Sequence, residues 1–405
     1  MTSELPRRPE DSVPRSMPPS FSFSEGGLFL PLQRWRHPGG DARLPLRARV
    51  VAVTLLAWLP LLLLSALEGH ALGTRVAVPF LHDIDAHIRF LLALPVLMVA
   101  AVVADRRLAP LLQQFTERGL VPEAAMPRYD AALAAALRGR DSVLADVLLL
   151  ALVYGVGVAV VWRQYLALDA ATWYAAPAAV GSDLTWAGQW YGWVSLPILQ
   201  FLLLRWYLRL LPWARLLWQV SRIGLRLVPT HPDRAGGLGF LAETGHALSL
   251  LAAAHGALVA AQIASRIFFA GETLPQFVGL IGIELVFVLC LTLGPMLFVA
   301  DQLIETKRMG LREYGALAGR YVQAFDAKWL RGGASADEAF IGSADIQSLA
   351  DLGGACERVG AMRLAPISRE AVLAVAAATL APIAPLVLTM IPLDELLKKL
   401  LSVVF

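Results

Sequence analysis

A chain of 405 residues that is 57% hydrophobic and only 17% charged carries more apolar surface than a water-soluble core of that length can bury, so the excess must face lipid. The net charge of +3 is spread over alternate polar segments rather than gathered in one patch, which argues against nucleic acid as a partner. Two cysteines, Cys290 in an apolar run and Cys356 in a polar stretch, exclude a disulfide framework and a cysteine-based metal site.

Residues 1–49 hold five prolines before Ser20, many charges and no sustained apolar run, which reads as a disordered or interfacial tail and not as a cleavable signal peptide. Within it, the stretch from Phe21 to Trp35 fits either a segment resting on the bilayer surface or an unstructured linker.

From Val50 the chain alternates apolar runs with shorter polar connections, and a helix needs about 20 residues to cross ~30 Å of hydrocarbon. Seven runs approach that length: 50–67, 88–104, 143–162, 190–204 with an extension, 244–266, 274–299 and 370–391. The expected fold is all-α: a polytopic transmembrane bundle with six spans over 50–299, a helical cytoplasmic region at 300–369, and a last span with a short amphipathic tail over 370–405. The proline-bearing last run can instead re-enter without crossing.

Basic residues set the orientation. Of 35 Lys and Arg, 29 fall in residues 1–49, 105–142, 205–243 and 300–369, which places these segments and the N-terminus in the cytoplasm and, with seven spans, the C-terminus outside. The other connections are poor in charge and carry Trp173, Trp186, Trp190 and Trp193, as suits the opposite interface.

At the outer mouth of the second run, His82, Asp83, Asp85 and His87 are possible ligands for zinc or manganese. Asp83 and His87 share one helical face and His82 and Asp85 another, so a metal site there needs ligands from elsewhere; the competing reading is a water-exposed helix cap. Between Arg205 and Arg226, arginines interleave with Trp206, Tyr207, Trp213 and Trp218, a pattern expected of an interfacial helix resting on anionic lipid headgroups.

The stretch from Thr230 to Phe240 contains His231, Pro232 and Asp233, then Gly236, Gly237 and Gly239. It lacks the Gly-Lys-Ser/Thr of a phosphate loop and the preceding strand of a dinucleotide fingerprint, so it reads as a tight turn, or else as a gating or partner-contact loop. The fifth run carries His255, Gln262 and Arg266 within about 40° on the helical wheel, beside a ridge of Gly256, Ala260 and Ala264. Glu284 lies ~14 Å and His255 ~16 Å inside consecutive antiparallel spans, depths at which the two side chains can meet near the midplane. Such a pair is either interhelical adhesive or a proton-relay or cation site.

Residues 300–330 read as a helical continuation of the sixth span, stopped by Gly332 and Gly333. Ser335 and Glu338 have capping-box spacing ahead of a short amphipathic helix with Ile346, Leu349, Ala350 and Leu352. The region reads as a cytoplasmic collar or as a docking surface for a protein partner, and it is too small and polar for a nucleotide-binding fold. The stretches 230–240 and 342–352, together with 82–90, resemble a group of uncharacterised bacterial multi-pass membrane proteins. That resemblance implies a bacterial inner membrane and supplies no catalytic residue.

Neither a Gly-x-Ser-x-Gly elbow, a His-Glu-x-x-His helix nor paired CxxC motifs occur, so the sequence leans away from an enzyme and calls for no cofactor. A transporter or channel with a midplane His/Glu site is favoured by these groups and by Pro60, Pro95, Pro295, Pro382 and Pro385 within spans. The alternative is a non-enzymatic membrane sensor or assembly subunit acting through its cytoplasmic helices; a lipid-modifying enzyme comes last. A homo-oligomer stays open.

Overall fold

The computed structural model describes residues 45–140, 143–162, 172–177, 182–335, 338–339 and 342–390. The tail over 1–44, with its 21–35 segment, and the end of the chain from 391 lie outside the described residues. The architecture is an all-α polytopic bundle, and the chain is an integral membrane protein in contact with the lipid bilayer.

Among the described residues five helices are long and apolar enough to span a membrane: α1 (Leu46–Leu67), α2 (Ile84–Glu117), α5 (Trp186–Val220), α6 (Gly239–Ala270) and α7 (Leu274–Leu330). Between α2 and α5 lie α3 (Met126–Arg140) and α4 (Val143–Leu152), the latter continuing as a π-helix over Val153–Trp162. After α7 come α8 (Ala344–Gly360) and α9 (Arg369–Leu380), followed by a 3₁₀ segment over Ala384–Met390. Two bent pairs bring the possible spans to seven: α3 with α4, bent by 45°, and α9 with its 3₁₀ extension, bent by 53°. In the last run, which the sequence reads as a span or a re-entrant segment, Pro382 and Pro385 fall at the bend, each lacking the N–H that would carry a helix through. Among the described residues one antiparallel strand pair, β1 (Ala175–Pro177) and β2 (Ser182–Leu184), precedes α5.

Helix α1 shows how the bundle is assembled. Ala57, Leu61 and Ser65, four apart, face the protein, while Val51, Leu55, Leu56, Leu59 and Leu63 are exposed where lipid would surround them. Pro60 cannot donate to the carbonyl of Leu56, and the indole Nε1 of Trp190 donates to that oxygen instead at 3.2 Å. The hydroxyl of Ser195 donates to the next carbonyl, Ala57, at 2.6 Å. A helix-breaking residue thus becomes the point at which α5 is fastened to α1.

The largest core cluster joins α1, α2, α3, α5 and α6, with Trp213, Phe90, Phe115 and Leu217 fully buried. α6 packs closely on α9: a Cβ on Gly256 would collide with the carbonyl of Thr379, and one on Gly245 would lie 2.9 Å from the Cβ of Ala371. α7 leaves the bundle as a rod. Its 3₁₀ stretch Gly294–Val299 interrupts the α-helix; beyond it Leu303 still sits in the main core and Gln302 donates to the carbonyls of Ser221 and Ile223, and after the buried Gly310 the helix runs on to Phe325 as an arm with Asp326–Leu330 as a terminal π turn. The arm stops where Gly332 adopts φ +80° and the N–H of Gly333 bonds the carbonyl of Ala327. α8 folds back on it through Tyr321, Lys328 and Trp329, which all donate to Asp345. These bonds hold Asp345 below and Lys328 above their ordinary pKa ranges. α8 begins after Ser343, and Ser335 does not cap it: the carbonyl of Ser335 only accepts the N–H of Glu338 in an isolated turn.

Candidate functional site

At membrane depth, the ridge of small residues on α6 lets neighbouring backbones approach and leaves His255 enclosed, 4% exposed. Its Nδ1 bonds the carbonyl of Leu251 at 2.9 Å, and its Nε2 lies 2.8 Å from the Tyr207 hydroxyl on α5. A carbonyl can only accept, so Nδ1 carries a hydrogen and donates to Leu251, while Nε2 meets a hydroxyl that can donate or accept, and both ring nitrogens are used. The Phe287 ring stands 6.0 Å from both rings and closes the site from α7.

One turn before Phe287, Glu284 is half-buried, within electrostatic reach of Tyr207, and forms no hydrogen bond or ion pair among the described residues. His255 and Glu284 therefore converge on Tyr207 and do not bond each other. The rest of the expected stripe is not enclosed with them: Gln262 and Arg266 are exposed, and Arg266 lies 3.8 Å from Glu272 at the end of α6. Tyr207 is the member that the sequence reading assigned to a lipid-facing pattern.

The run from Arg205 to Arg226 divides in two. Arg205 is not at the lipid surface: it is buried on α5, 3.3 Å from Asp146 on α4, with both side chains 7% exposed and the guanidinium over the Phe201 ring. A cation in an apolar helix either reaches the interface or finds an anion inside, and Asp146 supplies the anion. Arg215, Arg222 and Arg226, beyond it, are exposed, with Arg222 over the Trp218 ring at 5.4 Å.

At the Trp-rich end, the side chains proposed as metal ligands are taken up separately. Asp83 caps α2 by accepting from the N–H of Ala86 at 3.1 Å and accepts the Trp173 indole N–H at 2.7 Å. Asp85 pairs with Arg89 at 2.8 Å, and Arg89 donates to the Tyr191 hydroxyl at 3.2 Å. Arg89 and Tyr191 lie on two π-helical turns, Ile88–Ala93 and Tyr191–Ser195. His87 packs on Phe80 and Trp58 and accepts the Trp58 indole N–H, while His82 is exposed. Among the described residues no three His, Cys, Asp or Glu side chains gather as a metal site. The four candidates resolve into a capped, aromatic-packed helix start.

At the opposite end, the 230–240 loop is organised around Asp233. Its carboxylate accepts from the N–H groups of Ala235 (2.8 Å), Gly237 (3.2 Å) and Gly239 (2.8 Å), and the His231 ring lies 2.8 Å away. Burial alone would raise its pKa, but the three N–H groups and His231 outweigh that and hold it below the ordinary carboxylate range. Gly236 and Gly237 supply the positive φ values of the turn, at 64° and 102°. Arg363 fastens the loop to the segment after α8, donating from its side chain to Asp233 O at 2.9 Å and from its main chain to Arg234 O at 2.7 Å. The loop's N–H groups are spent on its own Asp233, so the glycines build a clasp and offer no phosphate cradle.

No protein-family model, curated protein or solved structure matches this chain. Its chemistry has to be read from the geometry alone.

Proposed function

We propose that this chain is a non-enzymatic sensor or assembly subunit of a bacterial-type inner membrane, with a cytoplasmic N-terminus, acting through the arm that α7 extends into the cytoplasm. The observation that carries this reading is the length of α7, 57 residues from Leu274 to Leu330 in one helix. At 1.5 Å per residue it reaches ~85 Å, far past ~30 Å of hydrocarbon. The helix that bears Glu284 and Phe287 beside His255 and Tyr207 therefore also bears the arm. The 3₁₀ stretch Gly294–Val299 and the packed segment through Gly310 lie between them, so a change in packing at membrane depth is passed to the arm along one helix. The arm ends in the α8 hairpin and exposes Leu311, Leu317 and Val322 for a partner. The basic-residue asymmetry and the resemblance to bacterial multi-pass membrane proteins support the placement.

A transporter or channel is the second reading, favoured by the half-buried Glu284 at membrane depth. Photo-crosslinkers placed in cells at Leu317 and Val322 separate the two. The subunit reading expects a discrete protein adduct at these sites that Leu311→Asp abolishes, with proteoliposomes impermeable to protons and cations. Absence of an adduct, with a cation or proton flux that Glu284→Gln removes, would establish the transporter instead.

A further inference from the structure

We propose that the groove between α3, α4 and α5 at the basic end of the bundle binds one membrane phospholipid with an anionic headgroup. The groove encloses about 520 Å³, within the ~300–1,000 Å³ typical of ligand clefts. Ala135 on α3, Ala145 on α4 and Ala214 on α5 make the room, and Leu211 gives the wall its apolar character. A slot of this kind at the rim of a bundle, lined by methyl groups and bathed by the bilayer, suits an acyl chain.

The polar end of the groove is cationic. Arg215 lines it, and Trp218, also in the lining, carries the guanidinium of Arg222 over its ring. Among the described residues no carboxylate lines the groove, and neither Arg215 nor Arg222 has an anionic partner. The contrast with Arg205 on the same helix, neutralised by Asp146, is direct. Depth agrees with a headgroup. α5 has 35 residues and spans ~52 Å, so with its Trp-rich start in one headgroup layer, Leu211 falls at the far edge of ~30 Å of hydrocarbon and Arg215 and Trp218 in the headgroup layer beyond it. Guanidinium groups there match a phosphodiester with paired N–H donors, and the indole of Trp218 suits the same layer.

The test is native mass spectrometry of the full chain released from nanodiscs of equal phosphatidylglycerol and phosphatidylcholine. Wild type is expected to retain one phosphatidylglycerol in preference to phosphatidylcholine, undisturbed by excess inorganic phosphate. Arg215→Gln, at an exposed position, is expected to lower that preference roughly fivefold, and the double change with Arg222→Gln further. Ala145→Leu, which fills the groove, is expected to abolish retention of both lipids. Retention by Arg215→Gln equal to wild type, equal retention of the two lipids by wild type, or displacement by phosphate alone would overturn the proposal. If Ala145→Leu fails to fold, the Arg215→Gln ratio decides alone.

Discussion

Helices α1 and α6 are both apolar, yet the more hydrophobic one is the less buried. α1 has a mean hydropathy of 2.5 with 17% of its span buried, whereas α6 has 1.7 with 67% buried. Lipid tails are as apolar as leucine, so moving a leucine from lipid into protein gains little, and close packing and polar contacts decide which helices go inside. α6 carries His255 and a ridge of Ala and Gly; α1 carries large side chains on every face but one. Between these two helices, small and polar residues mark the one that is enclosed and large apolar ones the one that faces lipid.

The most severe test of that rule is Asp146→Ala, which leaves Arg205 buried without its anion and is expected to destabilise by about 3–5 kcal/mol in detergent unfolding. The paired change Asp146→Leu with Arg205→Met should recover most of the loss. Gly256→Val comes next. A side chain there meets the backbone of α9, which cannot swing aside, so a loss of about 3 kcal/mol is expected, against almost none for Leu55→Ala on the lipid face of α1.

Outside the membrane the balance rests on Asp233. Its depressed pKa means that its contribution to stability is complete above the unfolded value of about 3.9 and is lost as pH falls through the lower folded value. Asp233→Asn should flatten the acid limb of the stability profile and cost about 1–3 kcal/mol at neutral pH. An unchanged acid limb in the variant would remove the clasp. The smallest effect is expected at Tyr207→Phe, about 0.6 kcal/mol, as for hydrogen bonds between membrane helices generally. A loss well above ~2 kcal/mol would show that the Tyr207–His255 contact is coupled to more than local packing.

Hydropathy alone was enough to find α1, α6 and the start of α7, because a bilayer-spanning run leaves an unmistakable length of apolar residues. Gly332 and Gly333 likewise announced the end of the arm. Pairing was not legible. Arg205 looks interfacial in isolation, and only the fold brings Asp146, which lies on another helix, beside it. Depth counting brought His255 and Glu284 to one neighbourhood but could not supply Tyr207, whose place depends on how α5 is rotated. The His82 to His87 cluster failed as a ligand set because neighbouring side chains on a helix diverge, and each found a partner on a different element.

The central claim is that α7 runs unbroken from the membrane into the arm. Spin labels at Gly282→Cys and Gly315→Cys, both facing open space, report on it directly in a background with Cys290 and Cys356 replaced. An unbroken helix predicts a narrow distance distribution near 50 Å in nanodiscs, from about 1.5 Å per residue. A broad distribution centred below ~35 Å would mean that the chain folds back at Gly294–Val299, and it would contradict the arm and the function built on it.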